Sequence, residues 1–159
     1  MAARKALIAL LFMMLSAPAW AGCHPFAGEK LRFAVGWEFI SAGWATLETT
    51  ESANGYKTTI FARTNPFFDL FKKVRDWIFS EGVCVGGRMQ STRFETRHNE
   101  PHYRAVKTAI FDWRHDRVLF GKNGKLKPYA VPRGHLNVLD AFYTVRAQKL
   151  KPGDVLHVP

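Results

Sequence analysis

The chain has 159 residues and a formal net charge of +10, from 23 Lys and Arg against 13 Asp and Glu. This length provides one domain of ordinary size and excludes two. A strongly basic chain is often a nucleic-acid partner, but the N-terminus predicts a compartment without nucleic acid.

Residues 1–21 have the three parts of a cleavable secretion signal. Arg4 and Lys5 provide the positive start, residues 6–15 (ALIALLFMML) provide an apolar run, and Ala19-Trp20-Ala21 provides the small residues that a signal peptidase recognises. The apolar run is about half of the ~20 residues that a membrane-spanning helix needs. The sequence therefore predicts a signal peptide at 1–21, a mature domain at 22–159, and export to the periplasm or outer envelope of a Gram-negative bacterium.

Removal of residues 1–21 leaves 21 basic and 13 acidic residues. In the envelope the available partners are lipid head groups, acidic glycans or envelope proteins, and no nucleic acid is expected. Membrane contact is expected to be peripheral, or to run through a lipidated Cys23. A solvated basic surface without a specific partner is the alternative.

The chain has two cysteines, Cys23 and Cys84. An even number in an oxidising compartment favours a disulfide, which closes a loop of about 60 residues and constrains the unfolded chain by about 4 kcal/mol. Trp20-Ala21-Gly22-Cys23 also resembles a bacterial lipobox, in which the cysteine is lipidated, although leucine is usual at the place of Trp20. Cleavage before Gly22 gives a soluble, disulfide-linked protein, whereas cleavage before Cys23 gives a tethered one.

Alternation of apolar and polar residues predicts antiparallel strands. A half-buried first strand is followed by a turn at 41–43, a second strand at 44–50, the hairpin turn Asn54-Gly55 and a third strand at 56–62. The buried face of the first strand is expected to carry Leu31, Phe33, Val35, Trp37 and Phe39. Further strands are predicted at 76–80, 90–98, 103–113, 117–121 and 126–131.

Two short helices are predicted. Thr64-Asn65-Pro66 is typical of a helix start, and apolar residues follow at helical spacing for about three turns. We expect Phe67, Phe68 and Phe71 to plug one end of the sheet in the core; a membrane-touching segment with Lys72 and Lys73 is the alternative. The second helix is predicted at 137–148. The fold is thus expected to be mainly β, a single curved antiparallel sheet resembling a half-barrel or roll, with one or two short helices.

No catalytic, cofactor or metal motif is found, so the sequence predicts a protein that is not an enzyme and holds no cofactor. The most suggestive polar set is Asp140, Tyr143 and Arg146, which three-residue spacing places along one helical face. These side chains are expected either to bind a shared anionic ligand or to form a polar network that ties the helix to the sheet.

Three segments carry a family resemblance: Gly28 to Phe33 (GEKLRF), Ile40 to Leu47 (ISAGWATL), and Asp140 to Arg146 (DAFYTVR) followed by Leu150 to Asp154 (LKPGD). In this order they resemble the exported bacterial family known as domain of unknown function 3108, over residues 28–159. Members of that family continue with further strands after the Pro152-Gly153-Asp154 turn, so the resemblance implies that C-terminal strands are missing here. It implies no activity and no catalytic residues.

Together these patterns predict an exported cell-envelope protein that binds a lipid, a lipid-linked glycan or a protein partner on an apolar sheet face. A structural or assembly protein of the envelope without a small ligand is the alternative. An envelope hydrolase or transferase is the least favoured function, because no nucleophile accompanies Tyr143 and Arg146.

Overall fold

The computed structural model describes residues 22–53 and 55–158, except for the side chain of Trp37. The predicted signal peptide and Asn54 of the predicted hairpin turn lie outside the described residues. Within them the chain forms eight strands and two short helices. The strands are β1 (Lys30–Trp37), β2 (Ile40–Ser52), β3 (Gly55–Thr64), β4 (Arg75–Val85), β5 (Arg88–Glu100), β6 (Tyr103–Asp112), β7 (Arg117–Lys122) and β8 (Lys125–Ala130), and the helices are α1 (Pro66–Asp69) and α2 (Val138–Arg146).

All eight strands belong to one antiparallel sheet whose spatial order is the chain order, β1 to β8. The sheet is curved and does not close, which confirms the predicted fold class. Most neighbouring strands are joined by short turns, which force each strand to return beside its predecessor, and this local rule produces most of the meander. The β4–β5 turn shows the mechanism, because Gly86 and Gly87 both adopt positive φ, at 57° and 73°.

The first strand alternates as predicted, but its predicted burial and the predicted turn after it are wrong. The turn lies at residues 38–39, and residues 41–43 lie inside β2. The pairing of β1 with β2 shifts in register between Val35, which pairs with Gly43, and Gly36, which pairs with Ser41. Phe39 is in the turn and 90% exposed. β1 is an edge strand of the sheet, and none of the described strands lies on its outer side.

The first helix is shorter than predicted and does not enter the core. Asn65 caps it as expected, since its side chain accepts a hydrogen bond from the Phe68 amide at 2.9 Å, but the helix ends at Asp69 after one turn. Phe67, Leu70 and Phe71 are 63%, 80% and 74% exposed. Phe68 is half-buried, but the expectation that all three rings plug the core is wrong, because the Arg75–Asp69 ion pair turns the chain back into β4 directly after the helix.

The second helix, α2, packs across one face of the sheet, which we call the helix-side face. A polar row lies directly beneath it: Thr49 pairs with Thr58, and Thr58 pairs with Ser80, and all three are buried. Since side chains on one face recur every second residue, the next row on this face is apolar, with Leu47, Ile60 and Ile78.

The opposite face carries aromatic rings and cations. Phe61 stacks on Trp77 with ring centroids 4.3 Å apart, and the Arg97 guanidinium lies 5.0 Å from the Phe79 ring. Glu95 is buried in this layer and accepts hydrogen bonds from Arg97 at 2.6 Å and Arg93 at 2.5 Å. Long charged side chains thus cover this face, and α2 covers part of the other.

Candidate functional site

Asp140 lies at the centre of a buried hydrogen-bond network between α2 and the sheet. Its carboxylate accepts from the hydroxyls of Tyr56 (2.7 Å), Ser80 (2.7 Å) and Ser91 (2.5 Å) and from the side-chain amide of Asn137 (2.9 Å). Asp140 has no exposed surface. Four donors compensate the desolvation of one carboxylate, so the network joins α2 to β3, β4 and β5.

Asn137 is also the N-cap of α2. Its side-chain oxygen accepts from the amides of Leu139 (3.0 Å) and Asp140 (3.2 Å), while its side-chain nitrogen donates to Ser80 at 2.8 Å. One amide therefore starts the helix and connects it to the sheet. The start of α2 is fixed by a local cap and a tertiary contact at once.

Tyr143 is completely buried one helical turn after Asp140. Its hydroxyl shares a hydrogen bond with Thr49 at 2.9 Å, and Thr49 continues to Thr58 at 3.1 Å. The His24 ring meets the Tyr143 ring edge-on at 4.5 Å. Burial raises the pKa of Tyr143, so the phenol stays protonated and acts here as a neutral hydrogen-bonding group.

Arg146 lies at the end of α2 and bonds to Glu29 through both guanidinium nitrogens, at 2.7 and 2.9 Å. The same guanidinium lies 4.0 Å from the centroid of the Phe26 ring. The hydrogen bonds from Arg146 lower the pKa of Glu29. Arg146 thereby holds residues 22–29 against the helix.

The predicted set therefore does not converge on one point. Asp140 bonds to β3, β4 and β5, Tyr143 bonds to β2, and Arg146 bonds to the N-terminal segment. The Tyr143 hydroxyl and both terminal guanidinium nitrogens of Arg146 are engaged with protein. In chemical terms the arrangement is a three-point attachment of α2 to its surroundings.

Sequence reasoning missed the partners of this helix because they come from distant parts of the chain. Ser80, Ser91 and Tyr56 are separated from Asp140 by 60, 49 and 84 residues, and no local motif joins them. One signal was available: Thr49, Thr58 and Ser80 occupy inward positions directly beside the apolar inward positions Leu47, Ile60 and Ile78. Hydroxyls at such positions indicate a buried polar partner.

Cys23 and Cys84 form the disulfide that the sequence favours, with Cα atoms 5.5 Å apart. The bond attaches the N-terminal segment to β4, and the Cys23 amide donates to Glu51 at 2.8 Å. The disulfide uses the Sγ atom of Cys23 that a lipid thioether would require.

A cleft of about 780 Å³ lies beside the disulfide, between the β4–β5 hairpin, the outer side of α2 and residues 133–136. Its volume falls in the range typical of small-molecule sites. Apolar Met89 and Leu136 line it together with Arg88 and Arg133. Asp140, Tyr143 and Arg146 do not line the cleft.

A second cluster brings metal-ligand types together on β4 and β5. Ligand atoms of Asp76, His98 and Glu100 lie within 4.8 Å of one another. However, His98 bonds to Asp76 at 2.8 Å, and Glu100 pairs with Lys72 at 2.6 Å. These mutual contacts account for the cluster.

The helix-side face is open away from α2. Beyond the row of Leu47 and Ile60 lies a row in which Phe33 pairs with Ala45, and Ala45 with Ala62. Phe33 and Val35 on this face are 45% and 47% exposed. An apolar surface therefore continues from the buried core to the edge of the sheet without a cover over β1 from the described residues.

Comparison with known proteins gives one family. The family described as "Protein of unknown function (DUF3108)" matches residues 32–159. No curated protein and no solved structure is significantly similar to the chain. Within residues 22–53 and 55–158, no helix has both the length and the apolar character to span a membrane.

Proposed function

The chain belongs to the DUF3108 family of proteins of unknown function, and on this premise we propose that it is an exported, non-enzymatic envelope protein that binds a lipid-like ligand on the open part of its helix-side face. The observation that carries the proposal is the half-exposed apolar surface at Phe33 and Val35, continuous with the apolar row of the core. Curved sheets with an open apolar side suit elongated apolar ligands.

Two features support export. Residues 1–21 have the order of charges, apolar residues and small residues that a signal peptidase recognises. The disulfide between Cys23 and Cys84 agrees with an oxidising compartment. Because that disulfide needs the Cys23 sulfur, cleavage before Gly22 is favoured over lipidation.

The ligand is tested by native mass spectrometry of the full chain purified from the envelope under mild conditions. We expect a co-purifying lipid-like mass that is lost in Phe33→Glu, since a carboxylate on the apolar face opposes apolar binding. Ala34→Glu is the matched control, because Ala34 is an exposed neighbour whose side chain lies on the opposite face. Met89→Trp, which fills the cleft, should retain the ligand.

Recovery of the protein without any lipid, together with no lipid-dependent change in melting temperature, would contradict the proposal. A stable protein partner in a pull-down would then favour the structural or assembly function. The same spectrum tests export: we expect a chain that begins at Gly22 and lacks the two hydrogens removed by the disulfide.

A further inference from the structure

Four turns of the meander share one end of the sheet, which we call the basic end: residues 38–39, 65–74, 101–102 and 123–124. In an antiparallel meander every second turn lies at the same end. Polar contacts tie these turns to the strands beside them. The Asn65 amide donates to the Ala42 carbonyl at 2.9 Å, Lys72 pairs with Glu100 at 2.6 Å, and Asn123 accepts from the Val106 amide at 2.9 Å.

Large apolar side chains project from this end. The exposed residues of the α1 segment are Phe67, Leu70 and Phe71, and the rings of Phe67 and Phe71 lie 5.6 Å apart. Phe39 projects from the neighbouring turn. Four such side chains at one end of a domain form an exposed apolar surface that does not pack into the core.

Cations surround this apolar surface. Lys72 and Lys73 directly follow it and are exposed. A shallow hollow of about 150 Å³ beside them is lined by three cations, Lys73, Arg75 and Arg104. Arg75 is paired with Asp69, and Glu100 at the rim is paired with Lys72. Among the described residues, Lys73 and Arg104 therefore carry the charge of the hollow that no ion pair balances.

The opposite end of the sheet differs in both respects. The connections at this end are the ones that follow β2, β4 and β6. The segments 51–56, 84–88 and 112–117 contain three Arg and three acidic residues, whereas 38–39, 65–75, 100–104 and 122–125 contain six Lys and Arg and three acidic residues. Positive charge and exposed aromatic rings thus coincide at one end alone among these turns.

We propose that the basic end docks peripherally on the surface of a bilayer containing anionic phospholipids. Phe67, Leu70 and Phe71 enter the head-group region, and Lys73 and Arg104 contact lipid phosphates. Aromatic and aliphatic residues beside lysines are the combination that interfacial binding requires, because apolar burial and attraction to anionic lipid add together. A protein partner fits less well, since its surface would have to be both apolar and strongly acidic.

This inference goes beyond the proposed function, because it concerns a different surface and a bilayer rather than a bound ligand. The two can fail separately. Variants of the basic end test membrane docking, and Phe33→Glu tests the ligand on the helix-side face.

Docking is measured by co-sedimentation of the disulfide-bonded full chain with vesicles. We expect binding to vesicles of phosphatidylglycerol and phosphatidylethanolamine, and little binding to phosphatidylcholine alone. Phe67→Ser with Phe71→Ser should lower partitioning about ten-fold or more, and Lys73→Glu should lower it several-fold and reduce its salt dependence. Val85→Ser and Arg88→Glu, exposed at the opposite end, are the matched apolar and charge controls.

A second readout does not depend on losing a side chain. In the Phe71→Trp variant, the emission of the introduced indole should shift to the blue with anionic vesicles and should be quenched by brominated lipids. Unchanged partitioning in the serine and Lys73→Glu variants, equal loss in the opposite-end controls, or indole emission that brominated lipids do not quench would each overturn the proposal. If the serine variant aggregates, the fluorescence readout alone decides.

Discussion

At the scale of single residues, burial of one carboxylate organises the helix. Asp140 is one of two fully or nearly fully buried acidic side chains among the described residues, the other being Glu95 on the opposite face. Glu95 is balanced by the cations Arg93 and Arg97, whereas Asp140 is balanced by hydroxyls and an amide. The two faces of one sheet therefore stabilise a buried carboxylate in different ways.

We predict that Asp140→Ala lowers the free energy of unfolding by about 3 kcal/mol, because it leaves the buried hydroxyls of Tyr56, Ser80 and Ser91 without their acceptor. Urea unfolding measures the change. Glu48→Ala is the control, since Glu48 is an exposed carboxylate paired with Lys30 at 3.5 Å and should cost less than about 1 kcal/mol. Equal losses in the two variants would show that the buried Asp140 network contributes no more to stability than an exposed ion pair.

At the scale of elements, local signals set where a helix starts, and tertiary contacts set where it ends and what it covers. Asn65 begins α1, but Arg75 returns to bond Asp69 and turns the chain into β4. The hydrogen bond from Arg75 lowers the pKa of Asp69 to about 2. That compact turn leaves no length for the three predicted turns of helix.

The segment before β1 is an element held by tertiary bonds. The disulfide attaches it to β4, and the Arg146 guanidinium attaches it to α2. Residues 22–29 therefore pack against the Tyr143 and Arg146 part of α2.

We predict that Cys23→Ser with Cys84→Ser lowers the free energy of unfolding by up to about 4 kcal/mol, since the unfolded chain regains the entropy of a loop of about 60 residues. Denaturant titration with and without a thiol reductant measures it. Reductant should destabilise the parent protein and leave the double variant unchanged. If reductant leaves the unfolding midpoint of the parent protein unchanged, the disulfide does not have a stabilising role.

At the scale of the whole molecule, folding changes how the protein binds protons. Burial lowers the pKa of His24 below its usual 6.5, although the nearby carboxylates of Asp140, Glu51 and Glu29 oppose this. The pKa of Glu29 is also lowered, by its hydrogen bonds from Arg146. In both cases the unfolded chain takes up the proton at a higher pH than the folded chain.

We therefore predict that the free energy of unfolding is highest above about pH 6.5. It should fall first as His24 of the unfolded chain takes up its proton, and fall again below about pH 4.5 as carboxylates of the unfolded chain, such as Glu29, take up theirs. Unfolding free energies at about pH 7.5, 6 and 5 measure the first step. His24→Gln removes the titrating group, so its stability should decline less than that of the parent over this range. A parent protein that gains stability relative to His24→Gln on acidification would refute the assignment.

Much of the architecture was predictable because antiparallel meanders follow from local rules. Alternation located most strands, turn residues located most hairpins, the cap Asn65 located the start of α1, and helical spacing located α2. The site was less predictable. The predicted residues Asp140, Tyr143 and Arg146 do lie on the side of α2 that makes contacts, but their partners lie in five other segments of the chain.

The sequence by itself determined the type of fold, the capped helix starts, the pair of cysteines available for a disulfide and the excess of positive charge, since each depends on near neighbours or on composition. Only the tertiary structure decided which alternating face is covered. Among the described residues nothing covers the apolar face of β1, because α2 packs elsewhere. Phe67 and Phe71 are exposed because Arg75 turns the chain before they can reach the core. An alternating sequence predicts that a strand has one apolar and one polar face. Whether the apolar face is buried depends on which elements pack against it.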